Sequence, residues 1–135
     1  MSRSHTSKIV AANATLLAAK KLDAIGDFFT TNYVAHFTGH DMKGGQAAIR
    51  EVLRAYHRAF PDLKVDVEIL VKAKDRVAWQ RTVQGTHLGN FKGFPATGRP
   101  LVWRDMVTSR FHNGLIAEEW VVTDLAERLL LARKR

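Results

Sequence analysis

A chain of 135 residues, 46% hydrophobic and 25% charged, has the balance of an ordinary globular protein and the length to bury a core as one domain over 1–135. It contains no cysteine, which excludes disulfides, thiolate nucleophiles and cysteine zinc sites, and no run approaches the ~18 apolar residues needed to cross a bilayer. The formal net charge of +8 raises the question of a nucleic-acid partner.

The distribution of that charge argues against one. Part of it is the tail "ARKR", at the end of an expected helix, where cations suit the helix dipole. Another part is Arg50, Arg54 and Arg58, spaced by four on one helix face, which reads as a solvated face or as a hold for an anion. No aromatic residue shares the helix face of these arginines to stack on bases. The opening "MSRSHTSKIVAANATLL" is too polar for a signal-peptide core, and with the missing cysteines this leads to the expectation of a cytoplasmic protein.

Three helical segments come first. "SKIVAANATLLAAKK" places Ile9, Val10, Leu16 and Leu17 along one side, and "LDAIGDFF" gives a short second helix. "YVAHF" (33–37) reads as a brief strand, and "TGHDMKGG" as a turn-rich loop. From Gln46 to Phe60 an apolar stripe of Ile49, Val52, Leu53, Tyr56 and Phe60 marks the clearest helix, stopped by Pro61. The period then changes to alternation. "LKVDVEILV", "RVAWQRTVQGTH", "LVWRDMVTSRF" and "LIAEEWVVTD" read as four strands, the last two joined by the tight turn "HNG". "LAERLLLARK" closes the chain as a short helix. Helices followed by consecutive strands imply an α+β domain with helices on one face of an antiparallel sheet.

Between the second and third of these strands lies "GTHLGNFKGFPATGRP", an excursion far longer than a hairpin needs. It contains neither a GxxxxGK[ST] nor a GxGxxG phosphate cradle, so its contribution is expected to be shape rather than chemistry. Together with "RFHNGLIAEEWVVTD" and "AFPDL" (59–63), it resembles the SnoaL-like polyketide cyclases, or ester cyclases, within a superfamily similar to nuclear transport factor 2. The similarity extends from about Phe29 to Leu130. It implies an NTF2-like cone: N-terminal helices over a curved antiparallel sheet, a deep pocket, a short C-terminal helix and a homodimer. It also implies cofactor-independent aldol ring closure of a hydrophobic, polyketide-like ester.

Asp124 ends a strand on the same face as Trp120 and Val122. A carboxyl in apolar surroundings can carry protons near neutral pH, but an aspartate there can equally cap the following helix. The resemblance implies the first role, because in the cyclases the aspartate after the strand tryptophan is the catalytic acid–base. Asp105 alternates with Trp103 and Val107 and is either a second pocket carboxylate or half of an outward ion pair. His87, in "GTH", could carry a proton at the pocket mouth or serve as a structural hydrogen-bonder. Glu118 and Glu119 must face opposite ways, so one of them looks inward. The expected ligand wall is Trp120, Trp103, Tyr33, His36, Tyr56 and Phe60. His36, His40 and Asp41 lack the converging ligands of a metal site, and no metal or cofactor is expected.

Two alternatives stay open. The same cone resembles limonene epoxide hydrolases and ketosteroid isomerases. Arg81 could stand where the hydrolases set an arginine between two aspartates, but Val83 occupies the place of a second carboxylate on that strand. The chain could also be a non-catalytic binding module with the same pocket.

Overall fold

The structure is a computed structural model and describes residues 4–133. Lys134 and Arg135 of the basic tail and residues 1–3 of the opening segment lie outside the described residues. Ser4 caps the first helix, α1 (His5–Ala12), by accepting the Ser7 N–H at 3.2 Å. The helix then widens into a π turn, Asn13–Ala18, and a 3-10 helix, Leu22–Asp27, follows in place of a second α-helix. Six strands form one sheet: β1 (Phe29–Phe37), β2 (His40–Met42), β3 (Lys64–Lys72), β4 (Arg76–Thr86), β5 (Pro100–His112) and β6 (Leu115–Thr123). Two further helices, α2 (Gly45–Ala59) and α3 (Leu125–Arg133), complete the chain.

Sheet order is β2-β1-β6-β5-β4-β3. The sheet is not wholly antiparallel, because β1 runs parallel to β6. A parallel neighbour needs a long crossover, and the whole segment from α2 through β5 supplies it. Two short pieces escaped the alternation pattern. The start of β1, "FTTN", is polar and its register slips between Phe29 and Val34, while β2 is a three-residue edge strand inside an apparent loop. The "HNG" turn is as expected, with positive φ at Asn113 (50°) and Gly114 (79°).

Alternation assigns one face of the sheet to the core. Val77, Trp79 and Val83 of β4 and Leu101, Trp103 and Val107 of β5 are all buried on that face. Two clusters result. One joins α1 to β1 and the outer ends of β4 and β5; the other joins Phe60, Phe91 and Trp103 to α3.

The glycine-rich excursion belongs to the second cluster. Leu88 and Gly89 donate their N–H groups to the Ala59 carbonyl at 2.9 and 3.2 Å, satisfying the open end of α2. Phe91 then enters the core against Tyr56 and Phe60, with ring centroids at 5.0 and 5.8 Å. Gly89 makes this approach possible, since a Cβ there would lie 2.7 Å from the Arg58 carbonyl oxygen. Gly89→Ala is therefore expected to lower stability by about 1–3 kcal/mol, as overpacking does, read as a lower urea midpoint at unchanged slope.

Candidate functional site

Between the concave face of the sheet and α1, the π turn and α2 lie two half-open pockets with shared walls, the lobes of one cleft. The lobe under α1 has a volume of about 60 Å³ and is bounded by Ile9, Asn13, Leu16 and Trp79. The lobe under α2 has a volume of about 110 Å³ and is bounded by Tyr33, Met42, Tyr56, Asp105, Val121 and Thr123. Arg81 and Glu119 line both lobes, together with the apolar Leu17, Phe29, Ile49 and Leu53.

Register explains why these polar groups meet. Arg81 on β4 lies directly opposite Asp105 on β5, and Ser109 on β5 lies opposite Glu119 on β6. Arg81 Nε donates to Asp105 Oδ2 at 2.7 Å, and Nη1 donates to Asn13 Oδ1 at 2.9 Å. Asn13 is buried and donates its own amide to the Ile9 carbonyl, which leaves its oxygen to the guanidinium. Glu119 accepts from Tyr33 Oη at 2.6 Å and from Ser109 Oγ at 2.5 Å. Ser109 in turn accepts the Trp79 indole N–H at 2.9 Å. Two polar chains thus cross an otherwise apolar space.

Burial dominates their electrostatics. It raises the pKa of Glu119 even though Ser109, Tyr33 and Arg81 all favour the charged form. It also raises Tyr33, helped by the Glu119 charge, and lifts Tyr56 to about 12 with help from Asp105. Burial opposes the charge on Arg81, but Asp105 and its hydrogen bond outweigh that and raise its pKa. Asp105 Oδ1 is buried and has no protein donor.

Of the expected site residues, Asp105, Tyr33 and Tyr56 reach the cavity. Asp124 does not. Its Oδ1 accepts the Arg104 N–H at 2.8 Å and its Oδ2 meets Arg128 Nε at 3.2 Å. Trp120, Val122 and Asp124 do share a face, but it is the outer one; Val122 is 60% exposed. Nor is Asp124 the alternative cap with its own side chain, because Thr123 Oγ1 takes the first helical N–H, that of Leu125. Trp120 and His36 are likewise outside, stacked at 5.2 Å. His87 is buried in the excursion against Phe60, with Thr97 Oγ1 at 3.2 Å, and burial lowers its pKa. Phe60 and Trp103 fill the second core cluster rather than the ligand wall.

Asn13 and Ser109 were not singled out from sequence, and the inward member of the Glu118–Glu119 pair was left open. Inward parity marks two of them: Ser109 sits between Val107 and Phe111, and Glu119 two residues before Val121, at positions that apolar neighbours bury. Nothing local marks Asn13. The carboxylate that Val83 does not provide comes instead from the neighbouring strands.

His36 holds a separate cluster on the outer face. Its Nδ1 meets Asp41 at 2.8 Å and its Nε2 meets Glu118 at 2.6 Å, while Arg110 binds Glu118 at 2.9 Å. These hydrogen bonds, Glu118 first, raise the His36 pKa from 6.5. A raised histidine pKa contributes stability that is fully present below 6.5 and is lost as pH rises through the folded value. The urea midpoint should therefore fall on going from acid to alkaline pH across that range, and His36→Gln should flatten the fall. Identical slopes in both proteins would remove His36 as its source.

A curved sheet closed by helices over a pocket with buried acid, base and guanidinium groups defines an α+β pocket domain of the NTF2-like kind. The chain belongs to the SnoaL-like polyketide cyclase family, whose sequence pattern matches residues 7–130. Solved structures agree. IdmH of Streptomyces antibioticus, a candidate polyketide cyclase, is 24% identical with a TM-score of 0.80, covering 98% of this chain and 100% of its own. A candidate polyketide cyclase of Acidithiobacillus ferrooxidans is 21% identical with a TM-score of 0.84, covering 99% of each chain. AclR of Streptomyces galilaeus, a candidate hydroxylase, is 25% identical with a TM-score of 0.79, covering 98% of this chain and 99% of its own. No curated protein matches in sequence.

Proposed function

We propose that this protein is a cofactor-independent acid–base enzyme of the cyclase type, with Glu119 rather than Asp124 as the proton carrier. One observation carries the reading: a buried carboxyl, its pKa raised, lines both lobes of the cavity together with a guanidinium. Ionised Glu119 takes the acidic C–H proton of a carbonyl compound. Arg81 lies where it can stabilise the enolate oxygen, and the enolate carbon attacks a second carbonyl in the same molecule. The new alkoxide then recovers the proton from Glu119, so the proton balance closes without a cofactor. Ser109 and Tyr33 hold the carboxyl in place. Asp105 and Asn13 position Arg81.

Proton abstraction is measurable without knowing the substrate. Deuterium exchange at the activated carbon of a substituted acetoacetate ester, followed by NMR, should be faster with the protein than in buffer. Glu119→Gln should slow the catalysed part by about 10²–10⁴-fold, and Asp124→Asn should leave it unchanged. If Asp124→Asn removes the exchange and Glu119→Gln does not, the acid–base is Asp124, as the family resemblance implies. The rate should rise with pH through a limb above the ordinary carboxylate range. Ser109→Ala should move that limb higher still, since the lost hydrogen bond favours the charged form.

A second reading, hydrolysis of an epoxide, is favoured by the placing of Arg81 near two carboxylates, Asp105 and Glu119. Incorporation of labelled oxygen from water into a diol would distinguish it from ring closure.

We also infer a homodimer through the outer face of the sheet. Met106 and Val122 lie opposite each other there, 45% and 60% exposed, with Val102 52% exposed nearby. Met106→Glu should halve the mass seen by sedimentation, and an unchanged mass would place any interface elsewhere. The absence of cysteine is compatible with a cytoplasmic location, and among the described residues no helix is long and apolar enough to cross a membrane.

A further inference from the structure

Trp79 has no part in the chemistry proposed above, yet it touches both of the polar chains that cross the cleft. It is buried on the inner face of β4, two residues before Arg81. In the β4–β5 register Trp79 lies opposite Val107, so Ser109 is its diagonal neighbour, within reach of a long side chain. The indole N–H donates to Ser109 Oγ at 2.9 Å, and the Arg81 guanidinium lies over the indole ring, 5.4 Å from its centroid.

The donors available fix the direction of each proton along this chain. An indole N–H can only donate, so the Ser109 oxygen serves as its acceptor. The one hydroxyl proton of Ser109 is then left for Glu119 Oε2, at 2.5 Å. Tyr33 delivers a second O–H to Glu119 Oε1 at 2.6 Å. Glu119 thus receives two donors, an arrangement that suits the carboxylate better than the acid. The acid form needs an acceptor for its own proton, and Ser109 can become one only if its hydroxyl turns away. Turning toward Trp79 would set the hydroxyl hydrogen against the indole hydrogen. Accepting the indole N–H also polarises the Ser109 O–H and strengthens its bond to the carboxylate.

We propose that Trp79 is a positioning residue that acts on Glu119 through Ser109, orienting the hydroxyl to favour the carboxylate, the form that takes a proton. This role deepens the acid–base reading above, and rests on it for any effect on rate but not for the effect on Glu119. Besides Glu119, the titratable groups lining the two lobes are Arg81 on β4, Tyr33 on β1, Asp105 on β5 and Tyr56 on α2. Burial raises the pKa of Glu119, while Ser109, Tyr33 and Arg81 lower it, so weakening the Ser109 bond raises it further.

Replacing the whole of Trp79 would disturb Arg81 as well as Ser109, so the change must remove the N–H alone. Benzothienylalanine in place of Trp79 does this, because sulfur takes the place of the ring nitrogen and the bicyclic shape is kept. Carbon-13 NMR of the Glu119 side-chain carboxyl, followed through pH, should show its titration midpoint moved to higher pH. The same replacement at Trp103, whose buried N–H has no protein partner, should leave the midpoint where it is. In a Ser109→Ala background the replacement of Trp79 should move it no further. An unmoved midpoint in the otherwise natural chain would overturn the proposal. So would an equal movement with and without Ser109, or an equal movement from Trp103. In the deuterium-exchange assay the pH limb should move with the midpoint. If the midpoint moves but the natural chain catalyses no exchange, the acid–base reading falls and the route from Trp79 to Glu119 stands. Catalysed exchange with an unmoved midpoint would do the reverse.

Discussion

An ion pair inside an apolar cone sets the terms for the rest of the molecule. Moving a guanidinium and a carboxylate out of water costs several kcal/mol per ion, and their attraction offsets that only when geometry is good and the remaining donors are used. Here the β4–β5 register brings Arg81 and Asp105 into contact at 2.7 Å, and a second donor of Arg81 reaches Asn13. Asn13 leaves α1 with regular helical dihedrals, and the π turn begins there.

The helix that roofs the cavity depends on the long excursion in the same indirect way. The last carbonyls of α2 need partners, and the N–H groups of Leu88 and Gly89 supply them from across the fold. Phe91 and His87 then pack against Phe60, which binds the strap to the second core cluster. The excursion is a brace for α2, and α2 contributes Ile49, Leu53 and Tyr56 to the cavity wall. His87 packs within this brace, against Phe60.

The two faces of the sheet divide the acidic residues into two kinds. Glu119 and Asp105 face inward and are buried, and burial raises the pKa of Glu119. Glu118 and Asp124 face outward and make ion pairs with Arg110 and Arg128 in contact with solvent, where such pairs contribute little. Adjacent glutamates thus differ in kind through strand parity alone. The relatives of this fold include candidate cyclases and a candidate hydroxylase, so the cone itself does not choose a reaction.

Much of this was legible in the chain. Apolar periodicity marks α2 and the four long strands to within a residue or two, since both are regular repeats with one buried face. Asp105 could be placed on one strand face with Trp103 and Val107 because parity is a local property, while the direction of that face stayed open. What sequence could not decide was which face is inside. Trp120, Val122 and Asp124 form a consistent row whichever way the sheet curves, and the curvature put that row outside. The parallel pairing of β1 with β6, the bond from Arg81 to Asn13, and the meeting of Arg81 with Asp105 all depend on contacts between residues far apart in the chain. Local patterns report the side of a strand on which a residue lies; only the packed sheet decides what that side faces.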